Sequence, residues 1–245
     1  MFAYLCILST LISSVVNADT LRSAGQQAGI FMGSQFKLQA IQNTSDPKYR
    51  STHESQYALS TAGNACKWES THPHQGTFDL SRCMAAYNYS LSANQQFRGH
   101  NLCWGKDNPS WLSNGGFGKD ELKTLLVEHV TTVMQGIRSS KGRSPFAWDV
   151  VNEACVTQEE YDLNGGLAGN ADFFKDNFWY PTLLNYVDVA FTAARAADPN
   201  ALLFYNDYGQ SAVNKKAKVV YDMVRNFILL CPILFITFAR VLTGF

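Results

Sequence analysis

The stretch PFAWDVVNE, residues 145–153, decides the fold expected of this chain. Its apolar run is typical of a parallel strand that is buried on both faces, yet it ends on Asn152 and Glu153. In folds built on parallel strands, functional groups collect at the carboxyl ends of the strands. The stretch therefore predicts a buried strand that carries a functional carboxylate. A carboxylate that caps the following loop or helix is the alternative.

Strand-like and helix-like segments alternate along the rest of the chain. Further strands are predicted at residues 29–36, 63–68, 96–104 and 201–207. Helices are predicted at residues 120–139, 182–197 and 214–227. This alternation is typical of an α/β protein with a parallel sheet.

Polar residues stand at the C-terminal ends of several predicted strands. They are Lys67, His100, Asn152 with Glu153, and Asn206 with Asp207. Polar groups in these positions favour a (β/α)8 TIM barrel, and a doubly wound sheet, which also carries its site at strand ends, is the alternative. No G-x-G-x-x-G motif follows a strand, so the sequence gives no support for a dinucleotide cofactor.

The predicted helix at residues 120–139 has one continuous apolar face. The residues on this face are Leu122, Leu125, Leu126, His129, Val130, Val133, Met134 and Ile137. His129 lies among aliphatic neighbours, and we interpret it as a packed core residue and not as a ligand.

Composition and charge limit the classes of function. The 245 residues are 46% hydrophobic and 16% charged, with zero net charge, which is typical of a globular chain with one large domain or two small ones. No run of Lys and Arg indicates a nucleic-acid partner. His72 and His74 lack a third ligand at metal spacing, and no G-x-S-x-G motif marks a serine nucleophile.

The N-terminal segment, residues 1–18, is interpreted as a secretory signal peptide that is cleaved after Ala18. It predicts a secreted, extracellular protein, and the N-glycosylation sequons at Asn43 and Asn88 agree with secretion. Cleavage leaves an odd number of cysteines, whose pairing the sequence does not determine. They are Cys66, Cys83, Cys103, Cys155 and Cys231.

The C-terminal segment, residues 229–245, is a hydrophobic tail that Pro232 interrupts. A membrane span needs about 20 apolar residues, so membrane attachment is the less favoured interpretation. A core segment and foreign sequence after a truncation are the others. The expected domain thus covers residues 19–228.

Glu153, at the end of a buried strand, is placed to act as one of the two carboxyl groups that glycosidic bond cleavage requires. Cleavage of a glycosidic bond usually uses one carboxyl group that protonates the leaving oxygen and a second that attacks the anomeric carbon or activates water. The proton donor has to stay protonated near neutral pH, which burial or a negative neighbour promotes.

Asp149 is excluded as the second carboxylate by distance. It stands four positions before Glu153 on the same strand, which is roughly 13 Å at 3.3 Å per residue. This separation is too large both for a carboxylate that attacks the anomeric carbon and for one that activates water. The partner is therefore expected from another strand end, where Asp207 and, less well, Glu69 are the choices. Aromatic residues near the strand ends are each core residues or faces on which sugar rings stack, and together with the polar strand ends they favour a saccharide cleft. These are Trp68, Trp104, Trp111 and Tyr208.

Four motifs resemble those of glycoside hydrolase family 10, the endo-1,4-β-xylanases. They are GNACKWE at residues 63–69, RGHNLCW at 98–104 with NPSWL at 108–112, WDVVNEA at 148–154 and YNDY at 205–208. The resemblance covers roughly residues 22–228. It implies a secreted (β/α)8 barrel that hydrolyses xylan or xylo-oligosaccharides with retention of configuration and without a cofactor or metal.

The resemblance also implies roles for individual residues. Glu153 matches the proton donor that later acts as general base, and Asn152 matches the contact to the sugar 2-hydroxyl. Asp149 belongs to a supporting hydrogen-bond network. The glycone side of the cleft is lined by Asn64, Lys67, His100 and Trp104. Many family members have Glu where this chain has Gly63, and His where it has Gly105.

The nucleophile of the family, a Glu in a T-E-L-D-like seventh strand, has no match in this sequence. About the first five βα units are expected, so the barrel is incomplete. We therefore expect poor solubility and negligible hydrolysis from this chain. A non-catalytic saccharide-binding remnant and a membrane-attached module are the alternative functions.

Overall fold

The computed structural model describes residues 19–157, 159, 174–209, 213–230 and 235–236. The predicted signal peptide, residues 1–18, lies outside the described residues, as does most of the predicted tail. The strands are β1 (Gly33–Phe36), β2 (Leu59–Ala62), β3 (Gln96–Trp104), β4 (Ala147–Asn152), β5 (Leu202–Asn206) and β6 (Phe235–Ile236). The helices are α1 (Leu21–Gln27), α2 (Leu38–Gln42), α3 (Pro47–Gln56), α4 (Trp68–Thr71), α5 (Ser81–Ser92), α6 (Ser110–Ser113), α7 (Lys119–Ser139), α8 (Tyr186–Ala197) and α9 (Lys215–Leu230).

The strands form one parallel sheet in which the spatial order follows the chain order from β1 to β6. A doubly wound sheet reverses its strand order near the middle, whereas a barrel adds each strand on the same side of the last one. The fold is therefore a partial (β/α) barrel, as the sequence predicted. The short β6 pairs with β5 through Phe204↔Phe235 and Tyr205↔Ile236, which adds a sixth strand to the five expected.

Two strands differ from the sequence prediction. The strand predicted at residues 63–68 is wrong, because β2 ends at Ala62 and the segment leads through a turn into α4. Cys66 and Trp68 gave that segment its apolar character, and both are buried in the core instead. The first strand begins only at Gly33, and Ile30 before it is 55% exposed.

β4 lies at the centre of the described sheet and is buried along its whole length. Its edges pair with parallel strands and both of its faces are buried, which explains why its residues are apolar apart from Asp149 and the terminal Asn152. Trp148 packs against Gly99 of β3, where a Cβ atom would lie only 2.2 Å from Trp148 Cε3. Gly99 is thus required for the close packing of these two strands.

Helix α7 buries all eight residues that the sequence assigned to its apolar face. Two acidic residues, Asp120 and Glu121, lie in its first turn and Arg138 lies in its last, the polarity that complements the helix dipole. Glu121 Oε2 also accepts a 2.9 Å hydrogen bond from the backbone N–H of Gly118. α7 packs against α8 and β3, and α8 ends at Ala197 before Asp198 and Pro199, as predicted.

His129 of α7 is a core residue, as the sequence indicated. Its ring is fully buried and stacks on Trp68 with ring centroids 3.5 Å apart. His72 extends this aromatic stack and lies 3.9 Å from the ring of Phe78. Neither imidazole has a hydrogen-bond partner among the described residues, and burial lowers the pKa of His72 to about 4.

The cysteine pairing that the sequence left open is resolved for four of the residues. Cys66 and Cys83 form a disulfide, which joins the turn after β2 to α5. Cys103 and Cys155 are free and buried. Cys231 lies outside the described residues.

None of the helices within the described ranges combines the length and apolarity that crossing a bilayer requires.

Candidate active site

The inner face of the sheet surrounds a cavity of about 370 Å³, which we call the inner cavity. It receives residues from all strands from β1 to β5, namely Gly33, Ser34, Gln35, Leu59, Thr61, Arg98, His100, Asp149 and Asn206. The structure thus brings two of the predicted site residues, His100 and Asp149, to one space.

Asp149 is the buried centre of a hydrogen-bond network on this face. Its side chain is 3% exposed, and its Oδ1 accepts a 2.8 Å hydrogen bond from Arg98 Nε and a second from Arg98 Nη2. Its Oδ2 accepts a 2.8 Å hydrogen bond from His100 Nδ1. Both carboxylate oxygens are therefore engaged, and the imidazole of His100 is held in one orientation.

Glu153 follows β4 in an unusual backbone conformation. Its φ angle is +52°, in the left-handed region that non-glycine residues seldom adopt. Its N–H donates a 2.8 Å hydrogen bond to the carbonyl oxygen of Asn206, which ties the end of β4 to the end of β5. The side chain is 22% exposed, so the carboxylate is accessible to a ligand.

A lysine that sequence reasoning missed lies beside Glu153. Lys175 Nζ is 4.0 Å from Glu153 Oε2 and donates a 3.2 Å hydrogen bond to the hydroxyl of Tyr208. The carboxylate, which we expected in a buried or negatively charged setting, thus lies partly exposed next to a cation. Lys175 belongs to no motif and is distant from Glu153 in sequence, so only the fold reveals the contact.

Asn152 is oriented by the neighbouring strand. It is 2% exposed, and its Oδ1 accepts a 2.7 Å hydrogen bond from Asn206 Nδ2. The amide oxygen of Asn152 is therefore occupied by a hydrogen bond within the protein, and the two N–H donors of its Nδ2 are the groups that a ligand can contact.

Asp207, the first choice for the second carboxylate, is engaged elsewhere. Its Oδ1 accepts hydrogen bonds from Lys216 Nζ at 2.7 Å and from the backbone N–H of Tyr208 at 2.8 Å. Its Oδ2 accepts one of 2.5 Å from the hydroxyl of Tyr205. The side chains of Asp207 and Lys216 are both fully buried. This carboxylate therefore has no free face to present to a substrate.

A second cavity, of about 410 Å³, opens between the loops that follow β2 and β3, and we call it the outer cavity. Its lining residues are Asn64, Lys67, Glu69, Ser70, Arg82 and Asp107. Two of the predicted substrate-binding residues, Asn64 and Lys67, thus lie together here. Glu69, the second choice for the partner carboxylate, is exposed and lines this cavity.

The aromatic residues divide between core and cleft. Trp68 is 2% exposed and belongs to the core stack, so its assignment as a sugar-stacking face was wrong. Trp104 is partly exposed, with Lys67 Nζ 4.9 Å from its ring centre. After Trp104, a Cβ atom on Gly105 would lie 2.9 Å from Asn177 Nδ2, so Asn177 fills the space that a larger residue at position 105 would need.

No group of three His, Cys, Asp or Glu residues in the described parts of the chain is arranged to hold a metal ion.

Comparison with known proteins places this architecture in a family. The model of glycosyl hydrolase family 10 matches residues 20–229. Endo-1,4-beta-xylanase B of Thermotoga neapolitana is 29% identical over 91% of this chain and 60% of its own length. Endo-1,4-beta-xylanase D of Talaromyces funiculosus is 32% identical over 89% of this chain and 50% of its own length.

Solved structures agree with the sequence comparison. Native xylanase 10B of Thermotoga maritima superimposes with a TM-score of 0.77 at 26% identity, over 89% of this chain and 62% of that one. Xylanase 10B of Thermotoga petrophila RKU-1 in complex with xylobiose gives a TM-score of 0.75 at 27% identity, over 86% of this chain and 60% of that one. The chain thus spans between 50% and 62% of the length of these relatives. With the family model matching most of its residues, the chain belongs to glycosyl hydrolase family 10.

Proposed function

We propose that this chain carries the proton-donor half of an endo-1,4-β-xylanase-type glycoside hydrolase that acts in xylan degradation with retention of configuration, and that Glu153 is its proton donor and later general base. The observation that carries the proposal is the arrangement of Asn152 and Glu153. An accessible carboxylate and an oriented amide end the central strand, next to the Asp149–His100 network.

In this proposal each residue has a separate task in the xylanase reaction. Glu153 protonates the leaving oxygen and then takes a proton from the attacking water. Asn152 donates its Nδ2 hydrogens to the 2-hydroxyl, a contact that strengthens as the transition state forms. His100, fixed by Asp149, lies on the glycone side with Trp104, while Asn64 and Lys67 bind more distant sugar hydroxyls from the outer cavity.

We further propose that the 245-residue chain binds xylo-oligosaccharides but hydrolyses xylan negligibly. Support comes from the carboxylates of the described residues. Both oxygens of Asp149 are engaged by Arg98 and His100, and Asp207 is buried with its own partners. Neither of these two carboxylates is free to attack the anomeric carbon, and loss of that attack costs several orders of magnitude in rate.

Binding and turnover test this proposal separately. Calorimetric titration of the full chain with xylotetraose is expected to show binding, which Asn152→Ala weakens because it removes the amide donors. Asn200→Ala, whose side chain is exposed at the far end of β5, is the matched control. A wild-type chain that binds no xylotetraose would refute the saccharide function.

Release of reducing sugar from xylan is the second measurement. We expect no release above a heat-inactivated control. Release that Glu153→Gln abolishes would overturn the proposed inactivity, and it would show that another group serves as nucleophile. Release that Glu153→Gln leaves unchanged would overturn the role of Glu153.

We also propose that the protein is secreted. The Cys66–Cys83 disulfide supports this, because such bonds persist in oxidising compartments. Both sequon asparagines, Asn43 and Asn88, are exposed. Expression in a secreting eukaryotic host is expected to give a chain in the medium that loses mass with a glycosidase, and full retention in the cytosol would refute the proposal.

A further inference from the structure

The outer cavity is lined by an equal number of positive and negative side chains. Lys67 and Arg82 supply two cations, and Glu69 and Asp107 supply two carboxylates. A cavity whose charges balance is suited to a neutral, hydroxyl-rich ligand rather than to an anion. The proposed function already assigns Lys67 to sugar binding. Which ligands Lys67 accepts depends on the group that balances the positive charge of its ammonium.

Lys67 is held by Asp107. Its Nζ lies 2.5 Å from Asp107 Oδ2, a charge-assisted hydrogen bond across the two loops. The side chain of Lys67 is 14% exposed and that of Asp107 is 46% exposed, so the lysine is the more enclosed partner. The ammonium also lies 4.9 Å from the centre of the Trp104 ring, which places it at the edge of the cleft.

The backbone around Asp107 keeps its carboxylate in this position. Asp107 has a φ angle of +52°, which costs free energy for a residue other than glycine. The turn is secured by the side chain of Asn108, whose Nδ2 donates hydrogen bonds of 2.9 Å to the carbonyl oxygens of Trp104 and Lys106. The carbonyl oxygen of Asp107 accepts a 3.4 Å hydrogen bond from the N–H of Glu69.

An ammonium group has three N–H donors, and Asp107 uses only one of them. The remaining donors are available to sugar hydroxyls, while the carboxylate cancels the charge that would attract an anion. We propose that Asp107 is a specificity-determining residue. It positions the ammonium group of Lys67 and balances the positive charge of that group with its own negative charge. The outer cavity then takes neutral xylose units in preference to units that carry a uronic acid. This inference rests on the proposed function.

Asp107→Asn is the decisive variant, because asparagine has nearly the same shape and tolerates positive φ. It leaves the charge of Lys67 uncompensated. The two ligands are xylotetraose and xylotetraose that bears a glucuronic acid substituent, titrated calorimetrically at low salt with the full chain. We expect Asp107→Asn to weaken neutral binding about threefold to tenfold and to shift the preference at least about threefold toward the acidic ligand.

A matched control and a double variant separate specificity from folding. Asp222→Asn removes a carboxylate of similar exposure, 49%, that pairs with Lys218 on the surface of α9, and it is expected to leave both affinities unchanged. In a Lys67→Met background, Asp107→Asn is expected to change nothing further, whereas a merely structural effect would persist.

The outcomes distinguish the two proposals. An unchanged ratio of the two affinities in Asp107→Asn, with wild-type binding intact, overturns this inference alone. A persistent shift in the Lys67→Met background overturns it as well. Failure of the wild-type chain to bind either ligand overturns the proposed function, and the inference with it.

Discussion

Acid is expected to destabilise this fold through the buried histidine stack. Burial lowers the pKa of His72 from 6.5 to about 4. Burial, followed by the charge of His72, lowers the pKa of His129 well below 6.5. The unfolded chain therefore binds protons at a higher pH than the folded chain does. The stabilisation is complete above about pH 6.5 and is lost progressively as the pH falls toward 4.

The size of the effect follows from the pKa of His72. At about 1.4 kcal/mol per pH unit, the drop from 6.5 to about 4 amounts to on the order of 3 kcal/mol once the pH is below both values. Between pH 7 and pH 4.5, His72 alone removes roughly 2 kcal/mol, and His129 adds to this loss. Set against the 5–15 kcal/mol typical of a folded domain, this is a large fraction.

Urea unfolding at pH 7, 5.5 and 4.5, followed by tryptophan fluorescence, measures the effect. Trp68 lies within the stack and reports on it directly. The variant His72→Phe keeps a flat ring beside Phe78 but cannot be protonated, and we expect it to lose roughly 2 kcal/mol less than wild type over this range. The matched control is His74→Gln at an exposed position. If His72→Phe and wild type lose the same free energy, the assignment of acid sensitivity to His72 is refuted.

Three further predictions concern stability and are measured by the same urea titration at pH 7. Breaking the disulfide with Cys66→Ser and Cys83→Ser, which are 17 positions apart, is expected to cost about 3 kcal/mol; an unchanged urea midpoint in this double variant would contradict this. Gly99→Ala forces a methyl group into Trp148 and is expected to cost about 1–3 kcal/mol, so a neutral result would show that β3 and β4 separate easily. Lys216→Met leaves the buried carboxylate of Asp207 without its cation and is expected to cost about 3–5 kcal/mol. Adding Asp207→Asn, which removes the negative charge, is expected to restore part of that stability.

Part of the fold was accessible from the sequence because its signal is local. The apolar face of α7 follows a helical period, and every residue assigned to it is buried. The mostly apolar run of β4 indicated a strand with two covered faces, as observed. The strand prediction at residues 63–68 was wrong because Cys66 is buried in a disulfide and Trp68 in a ring stack. Neither contact gives the sequence a periodic pattern from which it could be predicted.

The candidate site was predictable to the extent that residues stand at strand ends. His100 and Asp149 lie far apart in sequence, yet parallel register brings them to a 2.8 Å contact. The position of Asp207 at a strand end did not indicate that its side chain turns toward Lys216. A residue at a strand end points in a direction that the packing of the next helix decides, and α9 supplies that lysine.

The sequence by itself determined the alternation of strands and helices, the central strand that ends on Asn152 and Glu153, and the residues that carry the family resemblance. These depend on the order and period of side chains along the chain. Only the tertiary structure decided which carboxylates remain accessible, that Lys175 lies beside Glu153 and that Asp107 holds Lys67. Such contacts join segments that are distant in sequence. Their distances depend on how the sheet positions these segments, which the local sequence does not encode.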